Sequence, residues 1–406
     1  MSKEIYLDNN ATTRVADEVF EEMLPFFRDM YGNPSSMHAF GGQVGRHITQ
    51  ARERAAATLG CLPTEIIFTS CGSEGDNTAI NSALTAQPDK RHVITTKVEH
   101  PAVLSYCKHL ETRGYDVTYL GVDKEGNLSL DEFRDSLRDD TAIVSVMYAN
   151  NETGVVFPIP EIAAICRERG VTMHTDAVQA VGKVPINLAE LPVDYLVLSG
   201  HKLHAPKGVG VLYVRRGTPY RPFLIGGHQE RGRRAGTENT ASIVALGKAM
   251  ELAGANIGDE NTRVKALRDK LEKGLLETIP EARRNGAKEP RLPNTLNISF
   301  KYIEGEAILL MLDQYEICAS SGSACTSGSL EPSHVLRAMG VPFTFAHGSV
   351  RFSLSRYTTE DEIDTVLREM PPIIERLRQM SPFRGDEDEA ALAAGAHSCA
   401  CSTDDY

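Results

Sequence analysis

No apolar run in this chain approaches the ~20 residues that a membrane span requires, and the start, Met1-Ser2-Lys3-Glu4-Ile5-Tyr6, carries no apolar signal core. A cytoplasmic protein is the expectation. Cationic excess is also lacking. The chain has 43 Lys and Arg against 55 Asp and Glu, a formal charge of −12, which argues against nucleic acid and membrane surfaces as partners, because both demand clustered cations. Cysteine is too sparse, 8 in 406 residues, for a disulfide framework. Cys61, Cys107, Cys166 and Cys318 stand singly in apolar or helical surroundings and read as reduced packing residues. There is no internal repeat and no heptad pattern.

What remains is a globular composition, 41% hydrophobic and 24% charged, long enough for two domains. From about residue 64 to 214, short β-branched runs alternate with helical stretches, the signature of a mostly parallel sheet. The spacing predicts seven strands: Ile66 to Thr69, His92 to Thr96, Asp116 to Leu120, Ala142 to Ala149, Val171 to Thr175, Asp194 to Ser199 and Val209 to Val214. Beyond about 257 the pattern changes to amphipathic helices such as Thr262 to Ile279, mixed with isolated strands, Thr295 to Phe300 and Ser349 to Leu354. The expected fold is α/β, with a large domain over 16–257 and a smaller α+β domain over 258–380. An N-terminal segment, 1–15, is expected to pack with the small domain, and 381–406 reads as a disordered acidic tail. Cys399-Ala400-Cys401 in that tail lacks the two further ligands of a closed zinc site and is read as tail composition.

The chemistry-bearing residues cluster at strand ends. The apolar run Tyr195-Leu196-Val197-Leu198 ends in Ser199-Gly200-His201-Lys202, which places an amine where open α/β sheets bind ligands. A desolvated lysine there loses its proton near neutral pH and becomes a nucleophile for an aldehyde. The strand Val171 to Thr175 ends in Asp176, followed by Gln179, and the strand Ile66 to Thr69 runs into Gly72 and Ser73 at the start of a helix, a natural anion site. His100 follows the strand His92 to Thr96 in Glu99-His100-Pro101, and Asn151 ends another strand at the same rim. An amine, an anion site, a carboxylate for a ring nitrogen and a flat partner for a ring are the four needs of pyridoxal 5'-phosphate. Ser199 and His201 flank the lysine as further phosphate donors. Cys325 is set apart from the other cysteines. It lies in Ser320-Ser321-Gly322-Ser323-Ala324-Cys325-Thr326-Ser327-Gly328-Ser329, which has almost no apolar side chain to bury, although free cysteine is usually buried.

In order along the chain, Leu7-Asp8-Asn9-Asn10-Ala11-Thr12-Thr13, Gly32-Asn33-Pro34-Ser35-Ser36, Glu99-His100, Asn150-Asn151-Glu152-Thr153-Gly154, His174-Thr175-Asp176-Ala177-Val178-Gln179, the Lys202 segment, Arg234-Ala235-Gly236-Thr237-Glu238-Asn239 and the Cys325 loop resemble the cysteine desulfurases of the NifS and IscS type. The resemblance runs from about residue 4 to 380 and implies a homodimeric, aminotransferase-like enzyme of fold type I. It implies that Lys202 takes the cofactor aldehyde, Asp176 the ring nitrogen, and Gln179 and Asn151 the ring hydroxyl. It further implies that Gly72, Ser73, Ser199, Gly200 and His201 surround the phosphate, with Thr237 reaching it from the neighbouring subunit. Arg351 would clamp the carboxylate of the substrate L-cysteine, Lys202 and His100 would move protons, and Cys325 would take the sulfur as a persulfide, releasing alanine.

The segments His204-Ala205-Pro206-Lys207-Gly208 and Gly227-His228-Gln229-Glu230-Arg231-Gly232-Arg233-Arg234 lean towards the nitrogen-fixation branch over a housekeeping role. The implied acceptor is an iron–sulfur scaffold protein of the NifU or IscU kind, with Cys325 a transient ligand of a nascent cluster. Two rivals stay open at this point: another pyridoxal-phosphate lyase or aminotransferase, to which Cys325 is dispensable, and a non-catalytic scaffold binder.

Overall fold

The computed structural model describes residues 4–321 and 332–381. The Cys325 loop and the acidic tail lie outside these residues. The chain opens with β1 (Ile5–Tyr6) and two short helices, then enters the 21-residue helix Ala39–Leu59. Seven strands follow: β2 (Ile66–Thr69), β3 (His92–Thr96), β4 (Asp116–Leu120), β5 (Thr141–Ser145), β6 (Thr172–Asp176), β7 (Tyr195–Ser199) and β8 (Gly210–Val214). They form one sheet in the order β2-β8-β7-β6-β5-β3-β4. All neighbours are parallel except β8, which is antiparallel to both β2 and β7. Every residue of β2, β3, β5, β7 and β8 is buried, as expected of a sheet covered on both faces, and this is why these strands read as continuous apolar runs rather than alternating ones.

The strand expected at Ala142 to Ala149 is shorter, Thr141–Ser145. Beyond it the backbone still follows β6, with Val146 N–H on His174 O at 3.2 Å and Tyr148 N–H on Asp176 O at 2.7 Å, before Ala149 bridges to Val156 in a tight reversal. Nor is the alternation of strand and helix complete. Residues 177–194 connect β6 to β7 without an α-helix, and β7 reaches β8 through the single 3-10 turn Gly200–Lys202. The lysine therefore sits on the short link between two antiparallel neighbours.

The composition shift near residue 257 falls inside one helical path: helix Thr240–Asp259 passes through a π-turn, Glu260–Val264, into helix Lys265–Thr278 without leaving helical backbone. This path leads to a second apolar cluster that includes Leu271, Leu275, Ile298, Phe300, Phe352 and Ile363, joined by Leu7 from the amino-terminal segment. Strands β9 (Ala282–Arg284), β10 (Thr295–Phe300), β11 (Ile317–Cys318), β12 (Ser320–Ser321) and β13 (Ser349–Ser353) complete the set. Four of them form an antiparallel sheet in the order β12-β13-β10-β9, while β1 pairs in parallel with β11. The last helix, Glu360–Met380, starts at a capping box between Thr359 and Glu362. Among the described residues no helix is long and apolar enough to cross a membrane.

The helices Ala39–Leu59 and Thr240–Asp259 touch backbone to backbone at Gly247, where a Cβ would lie 2.5 Å from Ala51 Cα. We predict that Gly247→Leu destabilises the protein by about 1–3 kcal/mol, read as a lower urea midpoint, and that Ala51→Gly recovers part of the loss. A midpoint equal to the parent's would show that these helices are not in close contact.

Candidate active site

The carboxyl ends of β6 and β7, the start of helix Gly72–Ala86 and the amino-terminal segment close around a cavity of about 330 Å³. In-register parallel pairing of β6 with β7 sets Asp176 opposite Val197, so the aspartate and the turn bearing Lys202 emerge side by side. Of the residues expected from sequence, Gly72, Ser73, His100 and Asn151 line the cavity. Asp176, Gln179, Ser199, His201, Lys202 and Arg351 line it as well. Gly200 does not. It lies behind the turn, where a Cβ would meet Val209 and Ala205. Thr237 is exposed and away from the cavity of its own chain. Its segment is anchored to the helix start by Arg234, whose Nε and Nη2 donate to Glu74 at 2.9 and 3.1 Å.

Lys202 Nζ donates to two backbone carbonyls, Asn10 O and Ala11 O, each at 2.6 Å. Burial and the neighbouring Arg351 lower its pKa to about 8, against the pull of Asp8 and Asp176. The amine is thus kept near its neutral, nucleophilic form. Burial raises the Asp176 carboxyl, while the Val178 N–H at 2.9 Å, His100 and Lys202 oppose that rise. His100 caps helix Pro101–Thr112, its Nδ1 accepting from Ala102 N–H at 3.1 Å. Burial holds the ring towards its neutral form, with Asp176 opposing and Lys202 assisting, which leaves the proton on Nε2. His201 is pushed down to about 4 by burial and is also neutral, with Nδ1 3.2 Å from Thr12 Oγ1.

Arg351 projects from β13 into the same cavity, 7% exposed, with Nη2 on Asp8 Oδ1 at 2.8 Å and Nη1 on Asn151 O at 3.1 Å. The sequence reading missed Asp8 and Asn10 as site residues, although the segment Leu7 to Thr13 had drawn notice. It also missed the cavity-lining Asp76 and Glu152. Buried acids inside helices and turns give no strand-end signal. Glu152 is pushed up to about 7 by burial and is hydrogen-bonded by Ser333 Oγ.

The residues present fit pyridoxal 5'-phosphate. The first N–H groups of helix Gly72–Ala86 have no partner within the helix, and a Cβ at Gly72 would crowd Val178 Cγ2 at 3.0 Å, so this edge admits only a bare backbone beside an anion. A raised, cavity-facing Asp176 awaits a cation of the kind a protonated ring nitrogen supplies.

The aminotransferase class-V family model matches residues 5–366. A cysteine desulfurase of Trichormus azollae is 64% identical over 94% of this chain and 96% of its own length. The cysteine desulfurase NifS of Azotobacter vinelandii is 62% identical over 94% and 95%. A solved NifS-like protein superposes with a TM-score of 0.87 at 42% identity, covering 92% of this chain and 100% of that one. The chain belongs to the class-V aminotransferases and, within them, to the cysteine desulfurases. Its fold is that of pyridoxal-phosphate enzymes, and pyridoxal 5'-phosphate is its cofactor.

The buried acids give a pH prediction. Glu99 is fully buried, its Oε1 accepting from Thr96 Oγ1 at 2.8 Å and Met147 N–H at 2.9 Å, and burial pushes it up to about 8. The folded chain keeps a proton that the unfolded chain, with an ordinary value of 4.5, releases. That contribution is fully present below the unfolded value and is lost as pH rises through about 8, at up to about 1.4 kcal/mol per pH unit. Glu99→Gln, neutral at every pH, should therefore flatten the fall of the thermal midpoint between pH 5 and pH 8. A slope as steep as the parent's would mean that Glu99 is ionised in the fold.

Proposed function

We propose that this protein converts L-cysteine to L-alanine and holds the released sulfur as a persulfide on Cys325. What carries the reading is one arrangement: the Lys202 amine, Asp176 and the Arg351 guanidinium share a cavity that Ser320 and Ser321 also line, immediately before the segment that bears Cys325. Cys325 is four residues past Ser321, a contour of about 13–14 Å. The other end of that segment is fixed by Ser333 on buried Glu152.

When bound, the cofactor withdraws electrons from the substrate Cα and so acidifies its proton. The residues do the rest. Arg351 exchanges Asp8 for the substrate carboxylate and orients it bidentately. Lys202, its pKa lowered to about 8 so that a share of it is neutral near physiological pH, takes the Cα proton and returns it. The Cys325 thiolate attacks the substrate sulfur, an S–S bond forms as the C–S bond breaks, and the electron pair left on carbon takes a proton to give alanine. His100, with its proton on Nε2, serves the sulfur. Gly72, Ser73, Ser199 and His201 hold the phosphate, and Gln179 and Asn151 the ring hydroxyl.

The large unit, 16–257, would bind the cofactor, while the small unit, 258–380, carries Arg351 and the Cys325 segment. A homodimer is supported by large apolar side chains left open to solvent, Phe27, Tyr31, Met37 and Ile225 among them, and it would bring Thr237 to the partner's phosphate site. The sulfur acceptor we favour is an iron–sulfur scaffold protein serving nitrogenase in the cytoplasm, with Cys325 as a transient ligand to the cluster being built.

The test is product release from L-cysteine in a thiol reductant by the parent and by Cys325→Ala. The parent should give alanine and sulfide in equal amounts. The variant should lose at least ~100-fold in both while keeping its cofactor absorbance. Alanine or another product that persists without Cys325 would show that this thiol is not the nucleophile, as the lyase or aminotransferase reading has it.

A further inference from the structure

Two buried atoms in this site face each other without a hydrogen-bond partner among the described residues. Asp76 Oδ1 and His174 Nε2 are 3.4 Å apart, and their side chains are 1% and 0% exposed. They come from different layers, Asp76 from helix Gly72–Ala86 and His174 from β6, two residues before Asp176 and so on the same face of that strand. The other ring nitrogen of His174 is committed to Ser145 Oγ on β5, at 2.8 Å. Leaving both atoms unpaired would cost the desolvation of each, whereas one proton between them satisfies both.

We propose that Asp76 is held as a neutral acid whose proton points at His174 Nε2, and that this uncharged pair is a positioning unit that leaves Asp176 the only anion of the two cavity aspartates. His174 then accepts on Nε2 and donates from Nδ1 to Ser145. Both aspartates line the cavity, and two carboxylates in one dry site cannot both ionise cheaply. Their surroundings differ. Asp176 has the Val178 N–H at 2.9 Å and the neighbouring Lys202 amine to favour its ionised form. The titratable groups facing Asp76 are Asp176, Glu99 and Cys71, and with burial all of them raise it. His174 does not take the proton outright, because burial pushes the imidazole down to about 3. A second negative charge at Asp76 would compete with Asp176 for the proton of the ring nitrogen, and the pair prevents this.

The inference rests on the cofactor site proposed above, and two readouts separate the two ideas. Infrared difference spectra of the parent against Asp76→Asn and against Asp76→Ala, with the cofactor bound and again after it is stripped, read the acid itself. At pH 7 the parent should show a neutral-carboxyl C=O stretch that both variants lose. If neither variant loses such a band, Asp76 is ionised and the proposal fails, whatever occupies the cavity. The second readout is uptake of pyridoxal 5'-phosphate and the pH titration of its absorbance. Asp76→Asn, neutral and still a donor through its amide, should bind within about twofold of the parent, with the titration midpoint unmoved, whereas Asp76→Ala should bind ~10-fold more weakly. A midpoint displaced by about one unit in Asp76→Asn would mean that a charge had been removed, and would overturn the assignment. A parent that shows the infrared band but takes up no cofactor would instead strike the cofactor reading alone.

Discussion

The grip of two backbone carbonyls on one half-buried amine organises this molecule. Lys202 Nζ is held by Asn10 O and Ala11 O, so the amino-terminal segment has to lie across the carboxyl edge of the sheet. That placement is secured from the other side. Asn9 N–H bonds Ser353 O at 3.2 Å, and Asn9 Nδ2 bonds the same oxygen at 2.9 Å. Leu7 fills the second apolar cluster. The segment therefore ties the sheet that carries the lysine to the strand that carries Arg351. A carbonyl accepts hydrogen bonds without adding a full charge, so the amine is oriented but not locked in its protonated form by a carboxylate. Arg351 nearby adds repulsion. The combination suits an amine that must both bind a carbonyl compound and move a proton.

Around that contact the cavity and the core behind it hold many ionisable groups, most of them buried, and their environments separate them. Asp176 is given a backbone donor, the Val178 N–H, and the Lys202 amine as a neighbour. Glu99 and Glu152 are buried with only neutral hydrogen-bond donors and are pushed up. His201 and His174 are pushed down. Such a division of protonation states is how one fold presents an acid, a base and an anion together near neutral pH.

Much of the sheet and of the cavity wall was legible in the sequence, because the information is local. A β-branched run ending in a polar residue specifies both a strand and the edge it points to. For Asp176 and Lys202 the one further step was that β6 and β7 are neighbours in parallel. The contacts that escaped the sequence join distant positions: Asn10 with Lys202, Asp8 with Arg351, Asp76 with His174. Lys183 is a case of the same kind. It falls in a segment without periodic pattern, yet it is buried, with Nζ reaching Asn10 Oδ1 across the chain at 3.5 Å besides its neighbour Gln179 Oε1 at 2.9 Å. The π-turn at Glu260–Val264 was invisible for another reason. Helical residues continue on both sides of it, Thr240–Asp259 and Lys265–Thr278, so the local pattern fits one ordinary helix, and a single π-turn within it leaves no mark in the composition.

Lys183 also sharpens the central test. Burial lowers it to about 7, below Lys202, so basicity alone would make it the better nucleophile. The account depends instead on position, since Lys202 lines the cavity that Asp176 and Arg351 share and Lys183 does not. Borohydride reduction of the cofactor-loaded protein, followed by digestion and mass spectrometry, locates the phosphopyridoxyl group directly. It should be found on Lys202. Recovery on Lys183 would contradict the account, because the cavity, its two aspartates and Arg351 would then surround the wrong amine.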